Sequence, residues 1–233
     1  MHGLAAGEDV AELSSVSTNS LTAYHEIKRR ILGNRYVVGS AVSVQETADL
    51  LKMSRTPIKN ALIRLAEERL VELIPRHGFR VLPISPTETT EIYRIVTALE
   101  LLAIELVIER GPASSELAAI DCAVGGMEQA LVANDLAAWA DFDEAFHASL
   151  IRLSANARLI ETVTQFKEQT RRVRQITLRL RPRPVVSTRN HRELLTAIVA
   201  RDVEKARTLD REQRLRSCQE LTNILQQLDI RHL

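Results

Sequence analysis

Two sets of residues in this 233-residue chain have types and spacings that could do chemistry. The first is Asp143 with His147, four residues apart, together with His191. On a helix that spacing points a carboxylate and an imidazole from one face, a geometry suited to a single divalent ion, and His191 would have to come from another helix. Taken alone, such a pair on an amphipathic helix is usually a solvated or capped surface pair. The second set is Arg55, Thr56 and Lys59. Arg55 and Lys59 share a helical face opposite the stripe Ile58, Leu62 and Leu65. Arginine can donate bidentately to guanine O6 and N7 while Thr and Lys hold phosphates, so these types at the start of a helix suit major-groove reading.

Both sets need elements to position them. The chain is 45% hydrophobic but only 3% aromatic, which favours close-packed helices over an aromatic-rich β-sandwich or barrel. No apolar run is long enough to span a membrane, the first 20 residues lack a signal-peptide pattern, and the expected localisation is cytoplasmic. Cys122 and Cys218 stand far apart with no C-x-x-C pair, which excludes a disulfide framework and a thiolate zinc finger. The net charge of +1 hides an asymmetry: residues 20–84 hold 11 basic against 6 acidic side chains, and residues 85–233 hold 20 against 21. A small basic segment beside a larger near-neutral one suits a nucleic-acid-binding module joined to another domain.

Residues 1–19 are expected to form a disordered leader. A first helix follows, with Tyr24, Ile27, Ile31 and Leu32 on one face, and it stops near Gly33-Asn34. Val44 to Leu51 predict a short second helix. A third begins at Ser54, the expected N-cap, with Pro57 in its first turn. Two short β-prone pieces, 71–75 and 79–83, flank Arg76-His77-Gly78 and predict a hairpin wing. From Ser85-Pro86 onward the apolar period is helical, and six helices are expected, near 87–110, 114–133, 135–153, 157–180, 185–200 and 202–229. The fold class is therefore mainly α: an N-terminal winged helix-turn-helix with a small β-hairpin over 20–84, then an all-α six-helix bundle over 85–233.

The run Ser54-Arg55-Thr56-Pro57-Ile58-Lys59-Asn60-Ala61-Leu62, followed by Glu67 to Val71 and Pro75 to Val81, resembles the winged-helix domain of GntR-type bacterial transcription regulators. In that family the run is usually S-R-T-P-V-R-E-A-L. The resemblance implies that Gln45, Ser54, Arg55, Thr56, Lys59, His77 and Gly78 face double-stranded operator DNA, with Gly78 allowing close approach. Gln45 stands where the family commonly carries Arg, and it keeps hydrogen-bonding capacity without charge. The later phrases, Tyr93 with Ala98-Leu99-Glu100, Asp143-x-x-Phe146-His147, Ser154-x-Asn156, and His191 with Asp202, resemble the C-terminal effector (FCD) domain of the FadR-like branch.

That branch holds a divalent metal with one Asp and three His beneath a small-molecule effector. The resemblance thus implies a zinc, nickel or manganese site from Asp143, His147 and His191, with Gln213 at the fourth position. A neutral amide oxygen is a weaker ligand than imidazole. The effector, expected to be an organic acid, would meet a cation; where the family often has Arg, this chain has Val96, and Arg171, Arg172 and Arg174 are the replacements considered. The expected function is a ligand-responsive repressor, binding a palindromic operator as a homodimer, with no enzyme activity and no membrane partner. Two other classes fit the residues: an all-helical metal-dependent enzyme using Asp143, His147 and His191, and an architectural DNA binder with a structural second domain.

Overall fold

The computed structural model describes the backbone of residues 6–33 and 35–228, and side chains over 18–33, 35–167 and 169–228. The described chain divides into two compact units at the Pro83–Ile84 link.

The first unit opens with α1 (Ala6–Leu32) and continues through β1 (Ala41–Val42), α2 (Val44–Leu51), α3 (Arg55–Glu67), β2 (Val71–Ile74) and β3 (Gly78–Val81). Of the disordered leader expected over residues 1–19, residues 1–5 lie outside the described residues, and from Ala6 on the expectation is corrected, because α1 begins there. The described side chains of α1 carry an apolar stripe on one face. That stripe, Tyr24, Ile27 and Ile31, packs with Ile58, Leu62 and Leu65 of α3 and with Phe79 and Val81 of β3.

The hairpin forms as expected, with Val71 opposite Val81 and Ile74 opposite Gly78. A third strand joins it: β1 pairs antiparallel with β3, Val42 opposite Phe79, giving the order β1-β3-β2. Two residues are too few to show alternation, so β1 left no period to read. Gly78 sits at φ +111, and a Cβ there would overlap the Val42 carbonyl oxygen. The glycine is thus required by β1 inside the protein, before any approach to DNA is considered.

Helices α2 and α3 are fixed at their starts by different means. Ser43 Oγ accepts from the Glu46 amide at 3.0 Å and Glu46 returns the bond to the Ser43 amide at 3.1 Å, a complete capping box. Lys52 then closes α2 in the left-handed region at φ 53. Ser54 has the extended backbone of an N-cap, but its side chain makes no capping bond. Its hydroxyl therefore stays exposed at the tip of α3.

Among the described residues the second unit has six helices: α4 (Pro86–Arg110), α5 (Ser114–Val132), α6 (Leu136–Leu153), α7 (Ala157–Thr177), α8 (Val185–Val199) and α9 (Val203–Gln227). Caps mark the boundaries. Ser85 accepts from the Glu88 amide ahead of Pro86, Asp135 and Asn156 cap α6 and α7, and Asp202 caps α9. The core joins Ile104 and Val107 of α4, Ile120, Val124 and Met127 of α5, Phe146 and Leu150 of α6, and Leu194 and Ile198 of α8. Trp139 lies in the same core, its indole N–H donating to Thr188 Oγ1 at 2.8 Å.

Candidate nucleic-acid interface and metal centre

In the first unit, Gln45, Arg55, Lys59, Arg76, His77 and Gly78 line one concave groove between α2, α3 and the hairpin. Of the residues expected to face DNA, Ser54 and Thr56 lie on exposed turns at the start of α3 and are not among those lining the groove. The Arg55 Nε donates to the Gln45 amide oxygen, and Gln45 Nε2 donates to Asp49 Oδ1 at 2.6 Å. Gln45 thus spends its oxygen and one amide proton on neighbours. Its first role in this structure is to hold Arg55, a relationship that ten residues of sequence separation do not disclose.

In the second unit, α6 and α8 bring together Asp143, His147 and His191, whose ligand atoms all lie within 4.8 Å of one another. His147 Nε2 is 3.7 Å from Asp143 Oδ1, His191 Nε2 is 3.5 Å from the same oxygen, and the two Nε2 atoms are 3.3 Å apart. Ligands bound tetrahedrally at about 2.1 Å stand roughly 3.4 Å from one another, so the three atoms have the spacing of adjacent corners of such a site. The His191 Nδ1 faces the Ser187 carbonyl at 2.7 Å, which fixes Nδ1 as the protonated nitrogen of the neutral ring and leaves the Nε2 lone pair toward Asp143. Arg174 Nη1 donates to the other Asp143 oxygen at 2.9 Å and orients the carboxylate. The residues therefore fit a divalent transition metal.

Gln213 is not brought into this set. Its amide nitrogen donates to Ser187 Oγ and, at 3.3 Å, to Ser217 Oγ, while its oxygen accepts from Arg216. The one fourth-position ligand that the resemblance implied is thus occupied with hydroxyls and a guanidinium.

Beside the cluster lies a cavity of about 240 Å³ whose polar lining includes Glu100, His147, Arg152, Lys167, Arg174 and Arg214. Among the three arginines expected to meet an effector, only Arg174 lines it. Arg171 is half-buried and does not reach it. Arg172 is buried, with its Nε and one terminal nitrogen unpartnered, and burial lowers its pKa to about 10. Sequence reasoning missed Arg152, Lys167 and Arg214; of these Arg214, on α9, is buried and ion-paired with Glu100. Nothing distinguished it in the charged run Arg211, Glu212, Arg214, Arg216 except its being buried.

Electrostatics bind these groups into one network. Burial would raise the Glu100 pKa, but Arg214 and His147 outweigh it and bring it down to about 2. Burial and Arg214 would lower that of His147, yet Glu100 and Asp143 leave it raised. Burial dominates at His191, whose pKa falls to about 4, so this ring is neutral at pH 7 and ready to ligate. Asp143 is held below the ordinary carboxylate range despite its burial by His147 and Arg174.

A three-stranded winged helix with a basic groove, joined to a six-helix domain that carries an Asp-His-His cluster beside a cation-lined cavity, has the make-up of a DNA-binding regulator. The chain belongs to the gntR family of bacterial regulatory proteins, which it matches over residues 19–81, and it carries an FCD domain over residues 91–213. It is 32% identical over 197 residues, covering 82% of this chain and 80% of the relative, to an HTH-type transcriptional regulator in an unstable DNA locus of Streptomyces ambofaciens. It is also 26% identical over 209 residues, 84% of this chain and 93% of the relative, to the HTH-type transcriptional repressor GlaR of Escherichia coli. Its fold is that of the solved E. coli McbR/YncC, with a TM-score of 0.73 at 22% identity over 88% of this chain and 97% of that one. The protein is a DNA-binding transcription regulator, and its relatives point away from an enzymatic role. No described helix is long and apolar enough to cross a membrane.

Proposed function

We propose that this protein is a metal-loaded, effector-responsive repressor that binds a palindromic operator as a homodimer. The observation that carries the sensing half is the juxtaposition of Asp143, His147 and His191 with a cavity holding Arg152, Lys167, Arg174 and Arg214. Asp143, His147 and His191 would hold a divalent transition ion, which when bound supplies an open coordination position to an effector oxygen. The cavity lining holds four Arg and Lys side chains against Glu100 and Glu144, and two of the four cations, Lys167 and Arg174, pair with Glu144. That balance suits an organic acid more than a cation. Ser187 positions His191, Arg174 orients Asp143, and Arg214 neutralises Glu100, so the chain's own residues preset the site.

For the DNA half, Arg55 reads a base edge in the major groove, Ser54, Thr56 and Lys59 hold phosphates, and His77 with the Gly78 turn meets the backbone beside the wing. Two copies of the motif match the two-fold symmetry of a palindrome. The repressor sign follows the name carried by the E. coli relative GlaR.

The test is release of DNA by acids. A duplex selected from a random pool is titrated by fluorescence anisotropy with zinc-loaded protein and a panel of mono- and dicarboxylates. One class of acid should weaken binding at least tenfold in the wild type and leave His147→Ala unaffected. If no acid changes the affinity of zinc-loaded protein, the effector reading is wrong.

A further inference from the structure

The loop between α7 and α8 folds over a second cavity, of about 120 Å³, which shares no lining residue with the first. Beside apolar side chains such as Trp139, Leu178 and Val186, its polar lining is rich in donors. Arg181, Arg183 and Arg216 line it against a single carboxylate, Glu220. The Arg181 Nε is buried with no hydrogen-bond partner, and its Nη2 reaches the Arg174 carbonyl only at 3.5 Å, the outer limit for such a bond. Arg183 commits one terminal nitrogen to the Leu131 carbonyl and Arg216 one to the Gln213 amide oxygen, so most of each guanidinium fork is left to give.

The rest of the polar lining continues the pattern. Ser187 and Ser217 both accept from the Gln213 amide nitrogen, which leaves each hydroxyl its own proton to donate. Helix α8 starts behind Pro184, whose ring carries no acceptor to cap it, so Val186 and Ser187 present the positive end of a 15-residue helix to the same cavity. A buried donor left unmade is costly, and here the missing partner is an acceptor.

We propose that this cavity binds a compact oxyanion of the phosphate class. Its size admits one tetrahedral oxyanion, and its donors, three guanidinium groups, two hydroxyls and a helix N-terminus, outnumber what the two oxygens of a carboxylate can satisfy. Free phosphate and the phosphoryl group of a small metabolite share this chemistry. The anion would sit at the first turn of α8, the turn whose Ser187 carbonyl holds His191. The site is independent of the metal and of the acid effector.

The test uses the full-length protein in chloride buffer at constant ionic strength, titrated calorimetrically with inorganic phosphate, glycerol phosphate and acetate. Phosphate should bind saturably at one per chain, with acetate at least tenfold weaker. Arg183→Gln and Arg216→Gln, both outside the hydrophobic core, should each weaken phosphate about tenfold or more, whereas Lys167→Gln, in the first cavity, should leave it unchanged. Binding of glycerol phosphate as tight as phosphate assigns the site to phosphorylated metabolites, and phosphate alone assigns it to the free ion. Absence of saturable heat at millimolar phosphate, undiminished affinity in the double variant Arg183→Gln/Arg216→Gln, or loss of affinity in Lys167→Gln would overturn the proposal.

Discussion

Arg55 Nε donates to the amide oxygen of Gln45, tying the first residue of α3 to the second residue of α2. Because Gln45 is itself anchored on Asp49, one exposed guanidinium is steered by two residues of the preceding helix. The bond uses Nε alone, and the two terminal nitrogens are the pair that matches guanine O6 and N7. An arginine prepositioned in this way loses less side-chain entropy on binding than a free one.

Truncating Arg55 should therefore remove base reading. Arg55→Ala is expected to cost about 1 to 3 kcal/mol on the preferred duplex and to flatten discrimination between sequences. Lys59→Ala should weaken all duplexes alike and reduce the slope of log affinity against log salt by about 0.9. Anisotropy titrations at several salt concentrations on preferred and scrambled duplexes separate the two outcomes, and a scrambled duplex that discriminates against Arg55→Ala as strongly as against wild type would refute the assignment.

Gln45 should act through Arg55. Gln45→Ala is expected to cost less than Arg55→Ala and to relax the same base position, and it should cost almost nothing when Arg55 is already Ala. A double-mutant cycle on one duplex reads this as a coupling of about 0.5 kcal/mol or more; additive losses would mean that Gln45 contacts DNA on its own.

The six helices of the second unit were legible because each is bounded by residues with one physical meaning: Ser85-Pro86, Gly111-Pro112, Asp135, Asn156 and Asp202. Asp143 and His147 were legible because they share a helical face, and His191 only through resemblance. Strand β1 was not, since a two-residue strand carries no period, and α1 was not read back to Ala6, since its first turns hold no apolar stripe. Arg214 and its pairing with Glu100 escaped because contact between α4 and α9 is a tertiary fact. Gln213 was placed by counting along a helix, which fixes its face but not which of several neighbours its amide will choose.

Asp210 offers a test by pH. It is buried on α9 with Oδ2 unpartnered, and burial, reinforced by the nearby Glu100 carboxylate, pushes its pKa up to about 7. The unfolded chain ionises this group near pH 3.9, so between about pH 4 and pH 7 the folded state binds more protons. Its contribution to stability is thus fully present below about pH 4 and is lost as pH rises through 7. Asp210→Asn should match wild type at pH 4 and exceed it at pH 8 by about 1 to 3 kcal/mol in urea unfolding. A stability difference that does not change with pH would show that Asp210 is ordinarily ionised in the folded protein.

The metal gives the sharpest division between the two kinds of residue around the cluster. Zinc at 100 times its dissociation constant, binding only folded protein, should add about 2.7 kcal/mol and raise the melting temperature accordingly. His147→Ala removes a ligand atom that stands 3.7 Å from Asp143 Oδ1 and 3.3 Å from His191 Nε2, and it should abolish the zinc-dependent shift. Gln213→Ala should retain it, because the Gln213 amide is engaged with Ser187, Ser217 and Arg216 and not with the ligand atoms. Arg174→Gln should weaken the shift by an intermediate amount: it keeps a donor near Asp143 but withdraws the charge that helps hold that carboxylate ionised. Melting with and without zinc, alongside metal analysis of the dialysed proteins, distinguishes these cases. If zinc, nickel and manganese all leave the wild type unshifted, Asp143, His147 and His191 form a polar cluster that meets the effector through His147, with burial holding the His191 ring neutral at pH 7.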